Sequence, residues 1–288
     1  MFGRLKTYAS FVRVSHTVFA LPFALVGALL ASRANAATAV AWSWSRFAWI
    51  IACMVTARSA AMGFNRLADA AYDARNPRTA MREIPSGKMS RGEAVGFVVV
   101  STVLFLGCAW MVSPLCFALA PVALGIVFWY SLAKRFTNYA QIFLGLSMAV
   151  APVGGWIAMG GPLNAAPFLL GLAIGTWVAG FDILYACQDI DVDRREGLRS
   201  IPVKFGIDGS LRFSRALHVV TIAALGGVGL VAGLNFIYMA GVVGVAVLLV
   251  YEQSLVKADD LSQVKRAFDL NGWVGMLYLA ATIWAVRV

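Results

Sequence analysis

The sequence predicts an all-α membrane protein, and three features carry that prediction: abundant apolar residues, scarce charge and long apolar runs. Of the 288 residues, 60% are hydrophobic and only 13% are charged, and the mean hydropathy is +0.77. Ordinary soluble domains carry about 25% charged residues. This chain therefore has too little polar surface to cover a water-soluble globule, and we expect a polytopic bundle of transmembrane helices.

Nine apolar segments follow one another without a polar linker, so we predict a single domain over residues 1–288. Each segment is long enough to cross a hydrocarbon core of about 30 Å as a helix. Helices are favoured over strands because the runs are continuous and lack period-two alternation. The predicted segments lie at residues 15–33, 46–74, 92–112, 115–133, 138–159, 163–192, 210–232, 236–256 and 267–287. The predicted fold class is thus a bundle of nine transmembrane helices around a central cavity.

The basic residues are distributed unevenly between alternating loops. If the N-terminus lies in the cytoplasm, 19 of the 24 Lys and Arg fall on the inner side, three fall outside, and Arg58 and Arg66 lie within the second segment. The nineteen lie in residues 4–13, 75–91, 134–135, 194–215 and 257–266. This bias follows the positive-inside rule. It predicts an N-terminus and site loops in the cytoplasm, as expected for a protein of the bacterial inner membrane.

The net charge of +10 is explained by this orientation signal rather than by a nucleic-acid partner. The sequence contains no nucleotide-type glycine loop and no interleaving of aromatic and basic residues. The bilayer is therefore the predicted environment, and nucleic acid is not predicted as a partner.

A row of polar residues ends the second apolar segment. Asn65, Asp69 and Asp73 are spaced four apart, which places them on one helical face at steps of about 6 Å. Arg58 lies two turns earlier on nearly the same face. Charged groups at membrane depth cost energy unless they are paired or solvated in a cavity. The loop that follows is basic and polar, with Arg75, Arg78, Arg82, Pro85, Ser86 and Gly87.

A second acidic group ends the sixth segment. Asp189 and Asp193 are four apart, and Asp182 lies seven residues before Asp189 on the same face. Asp191 points about 200° away from Asp189 in a regular helix. Two facing carboxylate pairs without His or Cys form an oxygen-rich site, which suits Mg²⁺ shared with substrate phosphates.

The two acidic groups belong to a weak internal repeat. Each is followed by an arginine-containing loop with an Ile-Pro pair, Ile84-Pro85 in the first and Ile201-Pro202 in the second. Such repeats are typical of membrane proteins built from two half-bundles around one site. The loop arginines, Arg58, Arg66, Lys134 and Arg135 could converge on the acids. Acids that hold a metal beside bases would bind a diphosphate and withdraw electrons from it, although Lys134 and Arg135 equally suit a topology signal.

These motifs resemble those of the UbiA superfamily of intramembrane prenyltransferases over nearly the whole chain. The first family motif is similar to Asn65-x3-Asp69-x3-Asp73 and Arg78-Thr79-x2-Arg82-x2-Pro85-Ser86-Gly87. The second is similar to Asp182-x2-Tyr185-Ala186-x2-Asp189-x3-Asp193, with Gly197-x2-Ser200 after it. Tyr130-Ser131-x2-Lys134-Arg135 resembles the family's fourth-helix motif.

The resemblance implies Mg²⁺-dependent transfer of a polyprenyl group from a polyprenyl diphosphate to a small aromatic acceptor in quinone biosynthesis. The candidate metal ligands are then Asn65, Asp69, Asp73, Asp189 and Asp193. The four aspartates and Lys134 are the candidate catalytic residues. The candidate substrate contacts are Asn65, Arg58, Arg66, Arg78, Arg82, Tyr130, Asp182, Tyr185 and Arg199.

Several alternatives for the reaction stay open from the sequence. The Tyr185-Ala186 pair resembles the 4-hydroxybenzoate polyprenyltransferase branch, whereas the first loop resembles the related enzymes of the futalosine route to menaquinone. The acceptor is thus 4-hydroxybenzoate or a hydroxy-naphthoate, and haem or chlorophyll-like acceptors match less well. A transporter would also use buried acids and repeated halves. It should, however, place its acids near the bilayer midplane, whereas most of these lie within two turns of the cytoplasmic loops.

Overall fold

The computed structural model describes residues 2–12, 17–34 and 43–287, and within these ranges the chain is helical without a β-strand. The helices are α1 Phe2–Phe11, α2 Thr17–Ala34, α3 Trp44–Asp73, α4 Arg91–Val112, α5 Pro114–Trp129, α6 Ala140–Ala158, α7 Ala165–Ala186, α8 Ile190–Arg195, α9 Ile201–Val231, α10 Phe236–Leu255 and α11 Val264–Arg287. Two 3₁₀ turns, Tyr130–Arg135 and Cys187–Asp189, follow α5 and α7. Arg13, part of the predicted orientation signal, lies outside the described residues.

The all-α prediction is confirmed, and most predicted segment ends agree with the observed helices to within about one turn. Seven helical stretches of the described residues are long and apolar enough to cross a membrane. The other two predicted spans correspond to α2, with a shorter apolar stretch at Leu21–Ala34, and to α11, which opens with the charged Lys265 and Arg266. The nine-span prediction is compatible with this arrangement.

Polar caps determine where several of the helices begin. Ser90 caps α4 in a reciprocal capping box with Glu93, and Ser113 caps α5 immediately before a proline. Asn164, Ser200 and Asn235 accept hydrogen bonds from the first backbone N–H groups of α7, α9 and α10. Because the first N–H groups of a helix have no intrahelical partner, such side chains stabilise the start of a span.

The described helices fall into two compact units, and the first contains α1, α3, α4 and α5. Ala60 of α3, Phe105 of α4 and Leu124 of α5 form one buried cluster, and Phe64 stacks on Phe128 at a centroid distance of 4.6 Å. Helix α1, which the sequence analysis did not predict, packs against α4 through the buried Phe11. With ten residues, α1 is too short to be predicted as a membrane-spanning segment.

The second unit contains α2 and α6 to α11. Helix α7 is its most buried element and packs against α6, α9 and α11. Trp177 of α7 contacts Phe23 of α2 at a centroid distance of 4.8 Å, and its indole N–H donates to Asn271 of α11. Although α2 comes early in the chain, it therefore belongs with the later helices.

Two predicted features are wrong in detail. The helix predicted through residue 192 is interrupted, because α7 ends at Ala186 and a 3₁₀ turn carries Asp189 before α8 begins. The Ile-Pro pairs also differ: Ile201-Pro202 opens α9, whereas Ile84-Pro85 lies in a series of turns. Gly206 has φ 69° and ψ −176° and kinks α9, so the predicted segment from residue 210 corresponds to the part after this kink.

Helices α2 and α6 approach each other at two glycines. A Cβ added to Gly27 would meet the backbone oxygen of Pro152, and one added to Gly155 would meet that of Ala24. Small residues allow membrane helices to pack backbone against backbone. The contact is reciprocal, and neither backbone can yield without shifting its helix.

We expect Gly27→Ala to lower the free energy of unfolding by about 1–3 kcal/mol because the new methyl group overpacks this contact. Gly226→Ala in α9 is the matched control, since a Cβ there meets no atom within 4 Å. It should raise stability by about 0.5–1 kcal/mol through the loss of glycine's unfolded-state freedom. Thermal unfolding in detergent measures both changes: the midpoint should fall in Gly27→Ala and rise in Gly226→Ala. Equal shifts in the two variants would contradict the close approach of α2 and α6.

Candidate active site

The first acidic group occupies the C-terminal end of α3. Asn65 and Asp69, one turn apart, are joined by a 3.2 Å hydrogen bond from the Asn65 amide nitrogen to a carboxylate oxygen of Asp69. Both residues are half-buried. The helix continues unbroken to Asp73, so the predicted single face for the three polar residues is observed.

Asp73 is held by the loop that follows it. The Nη1 atom of Arg82 donates to both carboxylate oxygens of Asp73, each at 2.8 Å. The hydroxyl of Thr79 also donates to the Asp73 backbone carbonyl at 3.1 Å. Asp73 is only 6% exposed, so Arg82 supplies the opposite charge that a buried carboxylate requires.

Two contacts attach α1 to this region of the first unit. The Ser10 hydroxyl donates to the Glu83 carboxylate at 2.5 Å, and Glu83 is itself buried. Arg66 of α3 donates from its Nε to the carbonyl of Phe11 at 3.4 Å. Ser10 and Glu83 were not predicted as functional residues, although Glu83 lies directly beside Arg82 in the loop motif. Their position indicates that α1 supports the loop carrying Arg82.

The second acidic group lies after the end of α7. Asp189 and Asp193 are 8% and 3% exposed, and Asp191 between them is exposed, as predicted from the helical period. The ammonium of Lys134 lies 3.3 Å from both carboxylate oxygens of Asp193. The charges of Asp189 and Asp182 also act on this ammonium. Lys134 therefore supplies a cation to the second acidic group.

Hydrogen bonds join the loop after α8 to the residues around Lys134. The backbone N–H of Arg199 donates to the Lys134 carbonyl at 2.7 Å, and its guanidinium donates to the Phe136 carbonyl at 2.9 Å. The backbone N–H of Leu198 donates to the Asp193 carbonyl at 2.8 Å. Arg199, predicted as a substrate contact, thus holds the loop in this structure, and its contact with substrate stays a prediction.

Gln141 is a buried residue that the sequence analysis missed. Its side-chain oxygen accepts a 3.2 Å hydrogen bond from the backbone N–H of Ile201, the first residue of α9. A single amide in the first turn of an otherwise apolar helix was the available signal. Gln141 therefore fixes α6 to the end of the loop that follows the second acidic group.

We expect Gln141→Ala to cost about 1–3 kcal/mol because it leaves a buried backbone N–H without its acceptor. Hydrogen exchange should accelerate at Ile201 and its neighbours, and the thermal midpoint should fall. Gln263→Ala, at an exposed position, is the matched control and should change neither quantity. Unchanged exchange in Gln141→Ala would show that the loop is held by other contacts.

The other predicted substrate contacts are found on both units. Arg58 of α3 is half-buried and interacts electrostatically with Tyr130 in the same unit. Arg78 is exposed in the first loop. In the second unit, Tyr185 packs against Phe268 at a centroid distance of 4.9 Å. Their roles toward substrate stay predictions.

The donor groups of the candidate site suit a Mg²⁺ ion whose remaining coordination positions are filled by water or by a bound ligand. Among residues 2–12, 17–34 and 43–287, no three His, Cys, Asp or Glu side chains gather into a group that could hold a metal alone. Asn65 and Asp69 place an amide and a carboxylate one turn apart, joined through the amide nitrogen, and amide and carboxylate oxygens are hard donors of the kind Mg²⁺ prefers. Because Mg²⁺ keeps waters and shares substrate phosphates, this donor set fits it.

Comparison with known proteins identifies the family. The profile of the UbiA prenyltransferase family matches residues 20–279. The chain belongs to this family. The 4-hydroxybenzoate octaprenyltransferase of Vibrio parahaemolyticus is 32% identical over 235 residues, covering 82% of each chain. The enzyme of the same name from Vibrio atlanticus is 33% identical and covers 80% of this chain and 82% of its own.

Solved structures of UbiA homologues share the fold. The apo structure of a homologue from Aeropyrum pernix K1 has a TM-score of 0.85 at 31% identity and covers 95% of this chain and 98% of that chain. A homologue from Archaeoglobus fulgidus, bound to GPP and Mg²⁺, has a TM-score of 0.76 at 20% identity. The match covers 98% of this chain and 100% of that chain. The UbiA resemblance and the all-α membrane fold are therefore confirmed, and the chain is an integral membrane protein. Membership of a prenyltransferase family favours the enzyme over the transporter.

Proposed function

We propose that this UbiA family protein transfers a polyprenyl group from a polyprenyl diphosphate to an aromatic hydroxy acid, either 4-hydroxybenzoate or a hydroxy-naphthoate. Its relatives at about 30% identity are named 4-hydroxybenzoate octaprenyltransferases. The observation that carries the proposal is that each acidic motif has a cation on its last aspartate, Arg82 on Asp73 and Lys134 on Asp193.

In the proposed reaction, the allylic C–O bond of the prenyl diphosphate breaks and its electron pair leaves with the diphosphate. A ring carbon of the acceptor then attacks the allylic cation, a C–C bond forms, and the ring loses one proton. Mg²⁺, when bound, would act as a Lewis acid that stabilises charge on the diphosphate. Arg82 at the first acidic group and Lys134 at the second would each supply a cation that stabilises developing negative charge by charge-assisted hydrogen bonds.

The loops have a second proposed role, which is to exclude water from the allylic cation. In the first loop, the Thr79 hydroxyl donates to the Asp73 backbone carbonyl, and the Ser10 hydroxyl of α1 donates to the Glu83 carboxylate. In the second loop, the backbone N–H of Arg199 donates to the Lys134 carbonyl, and its guanidinium donates to the Phe136 carbonyl. Water excluded from a reacting cation cannot quench it by hydrolysis.

The direct test incubates the purified protein with Mg²⁺, a labelled polyprenyl diphosphate and each acceptor in turn. We expect one acceptor, 4-hydroxybenzoate or a dihydroxynaphthoate, to yield a C-prenylated product identified by mass spectrometry, and chelation of Mg²⁺ to abolish its formation. No product with either acceptor, from folded protein, would overturn the proposal.

We further propose that the protein lies in the bacterial inner membrane with its N-terminus and both site loops in the cytoplasm. The charge bias of the loops supports this orientation. With nine spans the end of α11 would lie outside. Alkaline phosphatase fused after Val288 should therefore be active, and a fusion at Ser86 in the first loop should be inactive. The reverse pattern would contradict the orientation.

A further inference from the structure

A basic cavity lies in the second unit between α9 and the end of α10. It has a volume of about 410 Å³. Its lining comes from the start of α9 after the Gly206 kink, from the last turn of α10 and from the residues that follow α10. The residues are Asp208, Leu211, Arg212, Arg215, Gln253, Ser254, Val256, Lys257 and Ala258. None of them belongs to the acidic groups or loops of the candidate active site.

The cavity carries a surplus of positive charge. Arg212 and Arg215, three residues apart on α9, are exposed, as is Lys257. Within the part of the chain that the structure describes, none of these three side chains has an ion pair or a hydrogen bond. Asp208 is the single acid of the lining. The charge of Lys257 also acts on Asp260, whose pKa is lowered mainly by hydrogen bonds with Ser262 and to a smaller extent by Lys257.

The floor of the cavity is fixed by hydrogen bonds between α9 and α10. The Nε2 atom of Gln253 lies 2.7 Å from the hydroxyl oxygen of Ser214, to which it donates, and 3.0 Å from Nδ1 of His218. Ser214 in turn donates to the Gly180 carbonyl of α7 at 2.8 Å. These hydrogen bonds fix α9, which carries the two arginines, and α10, which precedes Lys257, against each other and fix α9 against α7.

The surroundings of the cavity indicate the edge of a membrane. Along α10, the exposed residues Val243, Val247 and Val250 form an apolar stripe that ends near the cavity. Just beyond this stripe, Tyr251 accepts a 2.8 Å hydrogen bond from Arg266. Tyrosine and arginine are typical of the membrane–water interface. The basic residues thus lie at the end of a surface suited to acyl chains.

We propose that this cavity binds the phosphate headgroup of an anionic phospholipid, recognised by Arg212, Arg215 and Lys257. Guanidinium groups suit phosphate because their planar donors match its oxygens, and basic pockets between membrane helices bind anionic headgroups. The adjoining apolar stripe favours a lipid over free phosphate, because it offers a surface for the acyl chains of the same molecule.

The test measures lipid binding to the purified full-length protein by native mass spectrometry. Dioleoylphosphatidylglycerol is titrated against dioleoylphosphatidylcholine, and glycerol 3-phosphate is added as a soluble phosphate competitor. We expect tighter binding of phosphatidylglycerol and no displacement of it by millimolar glycerol 3-phosphate. The variants are Arg212→Gln with Arg215→Gln, Lys257→Gln and Asp208→Asn. Lys265→Gln removes one positive charge outside the cavity lining and is the matched control for Lys257→Gln.

The two-arginine variant should weaken phosphatidylglycerol binding about thirtyfold and Lys257→Gln about fivefold. Each basic residue near an anionic headgroup contributes a similar binding free energy, so the fold-changes of the two arginines multiply. Lys265→Gln should leave it unchanged, and Asp208→Asn should strengthen it. All these side chains are exposed, and thermal unfolding verifies that each variant is folded. Equal affinity for the two lipids, unchanged binding in the two-arginine variant, or full displacement by glycerol 3-phosphate would each overturn the proposal.

Discussion

Asp69→Asn and Asp189→Asn are each expected to lower prenyl transfer by at least about 10²- to 10³-fold, the effect of removing one preorganised electrostatic group from a reacting centre. Each substitution keeps the size of the side chain and removes a negative charge that the proposed mechanism uses to hold Mg²⁺. The measurement is turnover with saturating prenyl diphosphate over a range of Mg²⁺ concentrations, together with thermal unfolding. We expect the unfolding midpoint to change little, because both variants keep a hydrogen-bonding side chain.

Asp191→Asn is the matched control for this pair. Asp191 lies two residues from Asp189, yet it is exposed whereas Asp189 is buried. Its substitution should leave turnover within about twofold of the original, since an exposed charge of this kind is screened by water and salt. If activity survived in Asp69→Asn and Asp189→Asn as it does in Asp191→Asn, the two acidic groups would not be the metal-binding groups.

Lys134→Met is expected to cause the second large effect, on stability as well as on activity. It removes the ammonium from Asp193, which is 3% exposed and accepts from Lys134. An uncompensated buried charge is strongly destabilising; because the Lys134 side chain is 36% exposed, we expect a loss of about 2 kcal/mol rather than the full cost of a buried pair. Turnover should fall by at least about a hundredfold because the leaving diphosphate loses a cation.

A double substitution separates the two consequences. Lys134→Met combined with Asp193→Asn removes both charges, so most of the lost stability should return, whereas turnover should not. Lys265→Met removes an exposed lysine outside the candidate site and should affect neither quantity. If the double variant recovered activity along with stability, neither Lys134 nor Asp193 would have a role in the reaction.

Most of the fold could be predicted because hydropathy reports directly on burial in a bilayer. The helix that begins at Arg91 and ends at Val112 was predicted from residue 92 to residue 112. Helix α1 was missed because a ten-residue helix cannot span the membrane, and its packing depends on Phe11 contacting residues distant in sequence. The 3₁₀ turn at Cys187–Asp189 was also missed. The four-residue spacing of Asp189 and Asp193 in the sequence is the same whether the adjoining turn is α-helical or 3₁₀.

The candidate site was predictable where it depends on local spacing. The shared face of Asn65 and Asp69 and the outward direction of Asp191 both follow from the helical period. The partners of the acids were harder to predict, because Lys134 meets Asp193 across 59 residues of chain. The role of Gln141 depends on an equally distant contact with Ile201. Such contacts are determined by tertiary packing, about which one sequence carries little local signal.

The membership of α2 in the second unit has a consequence for biosynthesis. Helix α2 leaves the ribosome well before α6, yet the backbone that its Gly27 contacts is that of Pro152 in α6. At the usual synthesis rate of about 5–20 residues per second, the nascent α2 waits on the order of ten seconds for α6. During that interval its glycine surface must be shielded by lipid or by the insertion machinery.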